Sequence, residues 1–129
     1  MMETRTEDGC SALLQCVRAA RSTHRANSSH LMRRCGLGLS TVKWCLDVMR
    51  ERNLVEVLPE SPIPVLDLEA IEAWLISKEG MVVAWVAEHP DASDQSIAER
   101  FQSAGWTMDE HEVHRIRAAF SYMPATRCG

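Results

Sequence analysis

Apolar residues recur three and four positions apart along most of the chain, a spacing that predicts a run of short helices. Between Ser11 and Ala26, Leu13, Leu14, Val17 and Ala20 share one side while Arg18, Arg21 and Arg25 take another. Ser28 or Ser29 caps a short second helix, His30 to Cys35, whose buried side is Leu31, Met32 and Cys35. Gly36 and Gly38 end it and supply a tight turn. Ser40 then opens a third helix as its N-cap, with Val42, Cys45, Leu46 and Met49 on one apolar face and an end near Asn53. The pattern changes over Leu54-Val55-Glu56-Val57-Leu58, which alternates in the manner of a half-buried strand; Pro59-Glu60-Ser61-Pro62 is a turn, and Ile63 to Leu68 can return as a second strand that Pro64 limits to an edge or a ragged pairing.

Helical spacing then resumes. Asp67, or a residue just beside it, caps a helix with Leu68, Ile71, Trp74 and Leu75 inside, Gly80 interrupts it, and Met81 to Glu88 continues either as a bent extension or as a separate helix. Ser93 to Ser103 buries Ile97, Ala98 and Phe101. After a turn at Gly105-Trp106, Thr107-Met108-Asp109-Glu110 reads as a capping box for a last helix that buries Val113, Ile116, Ala119 and Phe120. The expected fold is mainly α: three helices and a small β-hairpin over 11–68, then a second tri-helical unit over 69–123, between a flexible N-terminus (1–10) and a tail (124–129).

Charge divides the chain in the same way. The net charge of −4 is made of two unequal halves. From Cys10 to Leu58 eight basic residues face three acidic ones, and from Val65 to Gly129 five face eleven, so only the first half has the sign that favours polyphosphate. The five cysteines, Cys10, Cys16, Cys35, Cys45 and Cys128, contain no C-x-x-C pair and read as free thiols, with Cys16, Cys35 and Cys45 at packing positions. No apolar run is long enough to span a bilayer, and Glu3, Glu7 and Asp8 stand where a signal peptide carries basic residues, so a cytoplasmic location is expected. Nothing pairs a nucleophile with a base or forms a phosphate-binding loop, which argues against an enzyme; His111 and His114 lack a third ligand at metal-binding spacing, and no cofactor is implied.

The stretch Leu31-Met32-Arg33-Arg34-Cys35-Gly36-Leu37-Gly38-Leu39-Ser40-Thr41-Val42, continued by Lys43 to Arg52 and Asn53-Leu54-Val55, resembles the winged helix-turn-helix family. The resemblance covers about a third of the chain and implies a transcriptional regulator that binds double-stranded DNA as a homodimer. It places Ser40, Thr41, Lys43 and Trp44 at the major groove and Arg33 and Arg34 on phosphates, although the bulk of Trp44 suits packing better. The wing tip departs from the family, carrying Glu60 between prolines in place of a basic residue.

Residues 81–123 repeat the helix-turn-helix outline without a wing and with the opposite charge at the start of the last helix. Asp109, Glu110 and Glu112, with Trp106 beside them, therefore read as a surface for a protein partner, while a second DNA site stays open. Two other functions follow from the same pattern: a protein-interaction factor that engages a polymerase, replication or host-defence protein, and an accessory acting at a replication origin.

Overall fold

The computed structural model describes residues 9–56, 58–60 and 64–121. The described chain is mainly helical: α1 (Gly9–Thr23), α2 (Ser28–Cys35), α3 (Leu39–Glu51), β1 (Val55–Glu56), β2 (Val65–Leu66), α4 (Leu68–Leu75), α5 (Lys78–Glu88), α6 (Asp94–Ser103) and α7 (Glu110–Ala119). β1 and β2 pair antiparallel, Val55 opposite Leu66 and Glu56 opposite Val65. No described helix is long and apolar enough to cross a membrane.

The predicted helices form, with shifted ends. Gly9 and Cys10, expected in a flexible terminus, are the first residues of α1 and are buried; the rest of 1–10, the tail 124–129 and Cys128 lie outside the described residues. Asn27, and neither Ser28 nor Ser29, precedes α2, which ends on Gly36 in the left-handed region (φ 70°), with the Gly36 amide donating to the Met32 carbonyl. Gly38 takes the N-cap position of α3, so Ser40 falls inside the first turn. Asn53 does end that segment, at φ 62°, a conformation in which Asn is among the better tolerated residues. The strands are shorter than the alternation implies, and Val57 and Ser61 to Ile63 fall outside the described residues.

Two corrections concern the second half. The chain breaks between α4 and α5 at Ile76 and Ser77, not at Gly80: the Ser77 hydroxyl accepts from the Gly80 amide, and Gly80 lies inside α5. A Cβ on Gly80 would stand 1.9 Å from the Trp74 carbonyl oxygen, so this glycine serves the close approach of α5 to the end of α4. The N-cap of α7 is Asp109, whose carboxylate accepts from the Glu112 amide, in place of Thr107.

The boundary expected at 68/69 divides the sequence but does not separate two cores. α1 packs on α2 and α3 and also on α4 and, most extensively, on α5. Leu13, Cys16 and Val17 of α1 belong to the same apolar cluster as Val42 and Met49 of α3, Ile71 of α4, Val82 and Val83 of α5, and Phe120 after α7. Burying this much apolar surface from seven short helices is what stabilises elements each too short to persist alone.

Candidate nucleic-acid interface

α2 and α3 pack on each other across the turn at Gly36 and Leu37, and α1 braces both. Leu31 anchors α2, while Val42, Cys45, Val48 and Met49 hold α3. The solvent side of α3 is what that burial leaves: Ser40, Lys43, Asp47 and Arg50, spaced three and four apart, are exposed. Leu39, at the start of the same helix, is 45% exposed. Among the described residues no side chain caps α3, and its first turn holds no acidic residue, so the positive end of the helix favours an anion. One carboxylate, Asp47, sits within the row and pairs with Arg50 at 3.5 Å.

The six residues assigned to DNA from sequence divide. Arg33, Arg34, Ser40 and Lys43 are exposed on α2 and the start of α3. Thr41 is only 5% exposed and is directed into the packing of α3. Trp44 is half-buried: its ring meets Phe120 edge-on at 6.4 Å between centroids and lies beside Gly9, as its bulk had implied. Thr41 and Trp44 therefore hold α3 to the rest of the fold and leave the outward row to Ser40 and Lys43.

Ion pairing sorts the basic half more sharply than exposure does. Arg18 reaches Glu88 at 4.0 Å, Arg21 reaches Glu72 at 2.6 Å, and Arg52 reaches Glu79 at 3.0 Å. Arg50 has Asp47. Arg25, Arg33, Arg34 and Lys43 have no carboxylate within 4 Å among the described residues, and all four lie on α2, α3 or the loop before α2. Elsewhere Lys78 pairs with Glu112 and Arg117 with Asp94, Arg100 lies over the Trp85 ring, and Arg115 on α7 has no carboxylate that close among the described residues. Arg18 and Arg21 are met by carboxylates of α5 and α4, and Arg52 by Glu79 of α5 as well as by its neighbour Glu51 at 3.2 Å, and the pairings with α4 and α5 are ones that charge counting along the chain could not reveal.

The acidic set assigned to a protein partner is mostly engaged within the chain. Asp109 caps α7, Glu112 pairs with Lys78 at 3.0 Å, and Trp106 packs edge-on against Phe101 at 6.0 Å. Only Glu110 of the four stands exposed with no hydrogen bond or ion pair among the described residues. A surface hollow of about 940 Å³ beside α7 is lined by Cys10, Asp94, His114, Arg117 and Phe120. Its polar groups satisfy one another: Asp94 accepts from Arg117 and is 3.1 Å from His114 Nδ1, and Arg117 also donates to the Pro90 and Ala92 carbonyls.

The β1–β2 hairpin contributes no positive charge among the described residues. Glu56 and Glu60 are exposed on the β1–β2 hairpin, and the hairpin's described residues include no Lys or Arg. Among the described residues no group of three or more His, Cys, Asp or Glu side chains has a geometry that could hold a metal ion. No protein-family model, curated protein or solved structure matches this chain, so its functional reading rests on the arrangement of its own side chains.

Proposed function

We propose that the chain binds double-stranded DNA through a winged helix-turn-helix made of α1, α2, α3 and the β1–β2 hairpin, and that it regulates transcription as a homodimer. One observation carries this reading: of the six described cations with no carboxylate within 4 Å, four (Arg25, Arg33, Arg34 and Lys43) collect on α2, on α3 and in the loop before α2, the elements that face DNA in such a module, while Arg100 and Arg115 stand apart on α6 and α7. Arg33 and Arg34 fork onto phosphates, Lys43 and Ser40 face the groove, and the N-terminus of α3 favours a phosphate oxygen. The acidic hairpin stands off the backbone, so this interface depends on helices more than on a wing. Dimerisation follows from size, since a single small module buries only about 600–1,000 Å² on DNA.

Fluorescence anisotropy with a random-sequence duplex at two salt concentrations tests the reading. Affinity should fall as salt rises and be lost in Arg33→Glu and Lys43→Glu but not in Glu110→Ala. Absence of binding at low salt overturns it. Selection from a random DNA pool then tests the dimer, through recovery of a palindrome.

A further inference from the structure

The basic half carries more arginine than its outer face displays, and the surplus is met by the second half of the chain. Arg18 and Arg21 on α1 and Arg52 after α3 each have a glutamate partner contributed by α4 or α5. The three pairs join residues 70, 51 and 27 positions apart, so they exist only because α4 and α5 fold back onto α1 and bring Glu79 beside the residue that follows α3. A guanidinium already facing a carboxylate neutralises a phosphate only by giving that partner up, and so adds little to counterion release.

We propose that Glu72, Glu79 and Glu88 are built-in counter-charges that confine polyanion binding to the face carrying Arg25, Arg33, Arg34 and Lys43. The second helical unit then determines how the module sits on a duplex: it silences the arginines on the sides of α1 and α3 that would otherwise hold DNA in unproductive orientations. The inference rests on the DNA-binding reading for the identity of the polyanion, while the silencing itself is a property of the fold.

The experiment compares the full chain with Glu72→Gln/Glu79→Gln/Glu88→Gln and with a charge-matched variant, Glu69→Gln/Glu99→Gln/Glu110→Gln, whose carboxylates face no Lys or Arg within 4 Å among the described residues. Each is titrated into a random 20-base-pair duplex across a salt series and eluted from immobilised heparin. Four phosphate contacts give a slope of log K against log salt of about −3 to −4 per bound protomer, and each released arginine steepens it by about 0.9, Arg18 and Arg21 being released outright while Arg52 keeps its second partner Glu51. The counter-charge variant should steepen the slope by at least one such step and elute at higher salt than the charge-matched variant. Adding Arg18→Gln/Arg21→Gln should reverse most of that gain and leave the wild type nearly unchanged. Glu72→Gln/Glu88→Gln, which spares the half-buried Glu79, supplies the same comparison if the triple variant loses its helical circular dichroism. Equal slopes and elution for the two charge variants overturn the counter-charges while leaving the DNA reading intact. A wild type that ignores the duplex, joined to a counter-charge variant that outlasts its matched control on heparin, overturns the DNA reading and keeps the counter-charges.

Discussion

Arg52 grips Glu79 with both arms of its guanidinium, Nε to Oε1 at 3.1 Å and Nη2 to Oε2 at 3.0 Å. The same carboxylate accepts from Trp74 Nε1 at 2.8 Å, and the guanidinium lies 5.0 Å from the Phe120 ring centroid. One half-buried charge pair thus fastens the residue after α3 to the start of α5, the end of α4 and the end of α7. Its forked geometry is the kind in which an ion pair contributes measurably, unlike the looser Arg18–Glu88 contact at 4.0 Å.

The clamp predicts an acid-sensitive stability. Burial alone pushes the Glu79 carboxyl up, but the hydrogen bonds from Arg52 and Trp74 and the adjacent positive charge outweigh it, so it titrates below the ordinary carboxylate value. The hydrogen bond to Glu79 also holds the Arg52 guanidinium above its usual range, against the opposing effect of burial. A carboxyl lowered on folding stabilises the fold above its unfolded pKa, about 4.3, and loses that contribution as pH falls through the lower folded value. Glu79→Gln should therefore cost about 1–2 kcal/mol at pH 7 by urea denaturation. The gap from wild type should narrow steadily below pH 4; a gap equal at pH 7 and pH 3 would show that the charge is not what holds the clamp.

Trp44 and Lys43, adjacent in sequence, should separate cleanly by function. Trp44 packs on Phe120, so Trp44→Phe is expected to lower stability by about 1 kcal/mol and leave duplex affinity within about threefold. Lys43 is exposed and has no carboxylate within 4 Å among the described residues, so Lys43→Ala should leave stability unchanged within about 0.5 kcal/mol and reduce the salt slope by about one. Paired denaturation and anisotropy measurements check both; a Trp44→Phe protein of native stability that fails to bind DNA would restore Trp44 to the interface.

Gly80→Ala separates the two readings of that glycine. If Gly80 were a helix breaker, alanine would favour the helix by about 1 kcal/mol. The structure puts the added Cβ 1.9 Å from the Trp74 carbonyl oxygen, a backbone atom that moves only if α4 and α5 part. Destabilisation of about 1–3 kcal/mol is expected, read as a lower denaturation midpoint, and a stabilised variant would overturn the close approach.

Local patterning carried most of the helices because each buries a stripe that repeats at helical spacing, and Asn53 was legible because few residues suit its backbone conformation. Gly80 was misread for a physical reason: sequence shows that a glycine weakens a helix, but not that another backbone needs the space. The spacing of Thr107 and Glu110 shows where a cap belongs but not which side chain fills it, and in the structure α7 starts two residues later, at Glu110, so that Asp109 takes the cap. At the candidate interface, Arg33, Arg34 and Lys43 were legible as cations, whereas their lack of partners was not. That property depends on where Glu72, Glu79 and Glu88 lie, and those positions are set by α1 packing on α4 and α5.

The thiols of the first three helices give a last prediction. Cys16 and Cys45 are fully buried between α1 and α3, and Cys35 on α2 lies close enough to donate to the Gln15 carbonyl at 3.5 Å. A hydrogen bond with Cys45, then burial, pushes the Cys16 thiol far up, and burial first, then the neighbouring Cys16, pushes Cys35 up to about 11. Thiolate is the reactive form, so at pH 8 Cys16 and Cys35 should be poor nucleophiles, and Cys16 and Cys45 are shielded by burial. In a Cys128→Ser background, a disulfide reagent at pH 8 should modify Cys35 ahead of Cys16 and Cys45. Those two should react at least a hundredfold more slowly in the native protein than in guanidinium chloride, the step through which they become accessible being an opening of the α1–α3 packing. Equal native and denatured rates for Cys16 and Cys45 would mean that α1 and α3 do not form the closed interface on which the presentation of Lys43 and Ser40 depends.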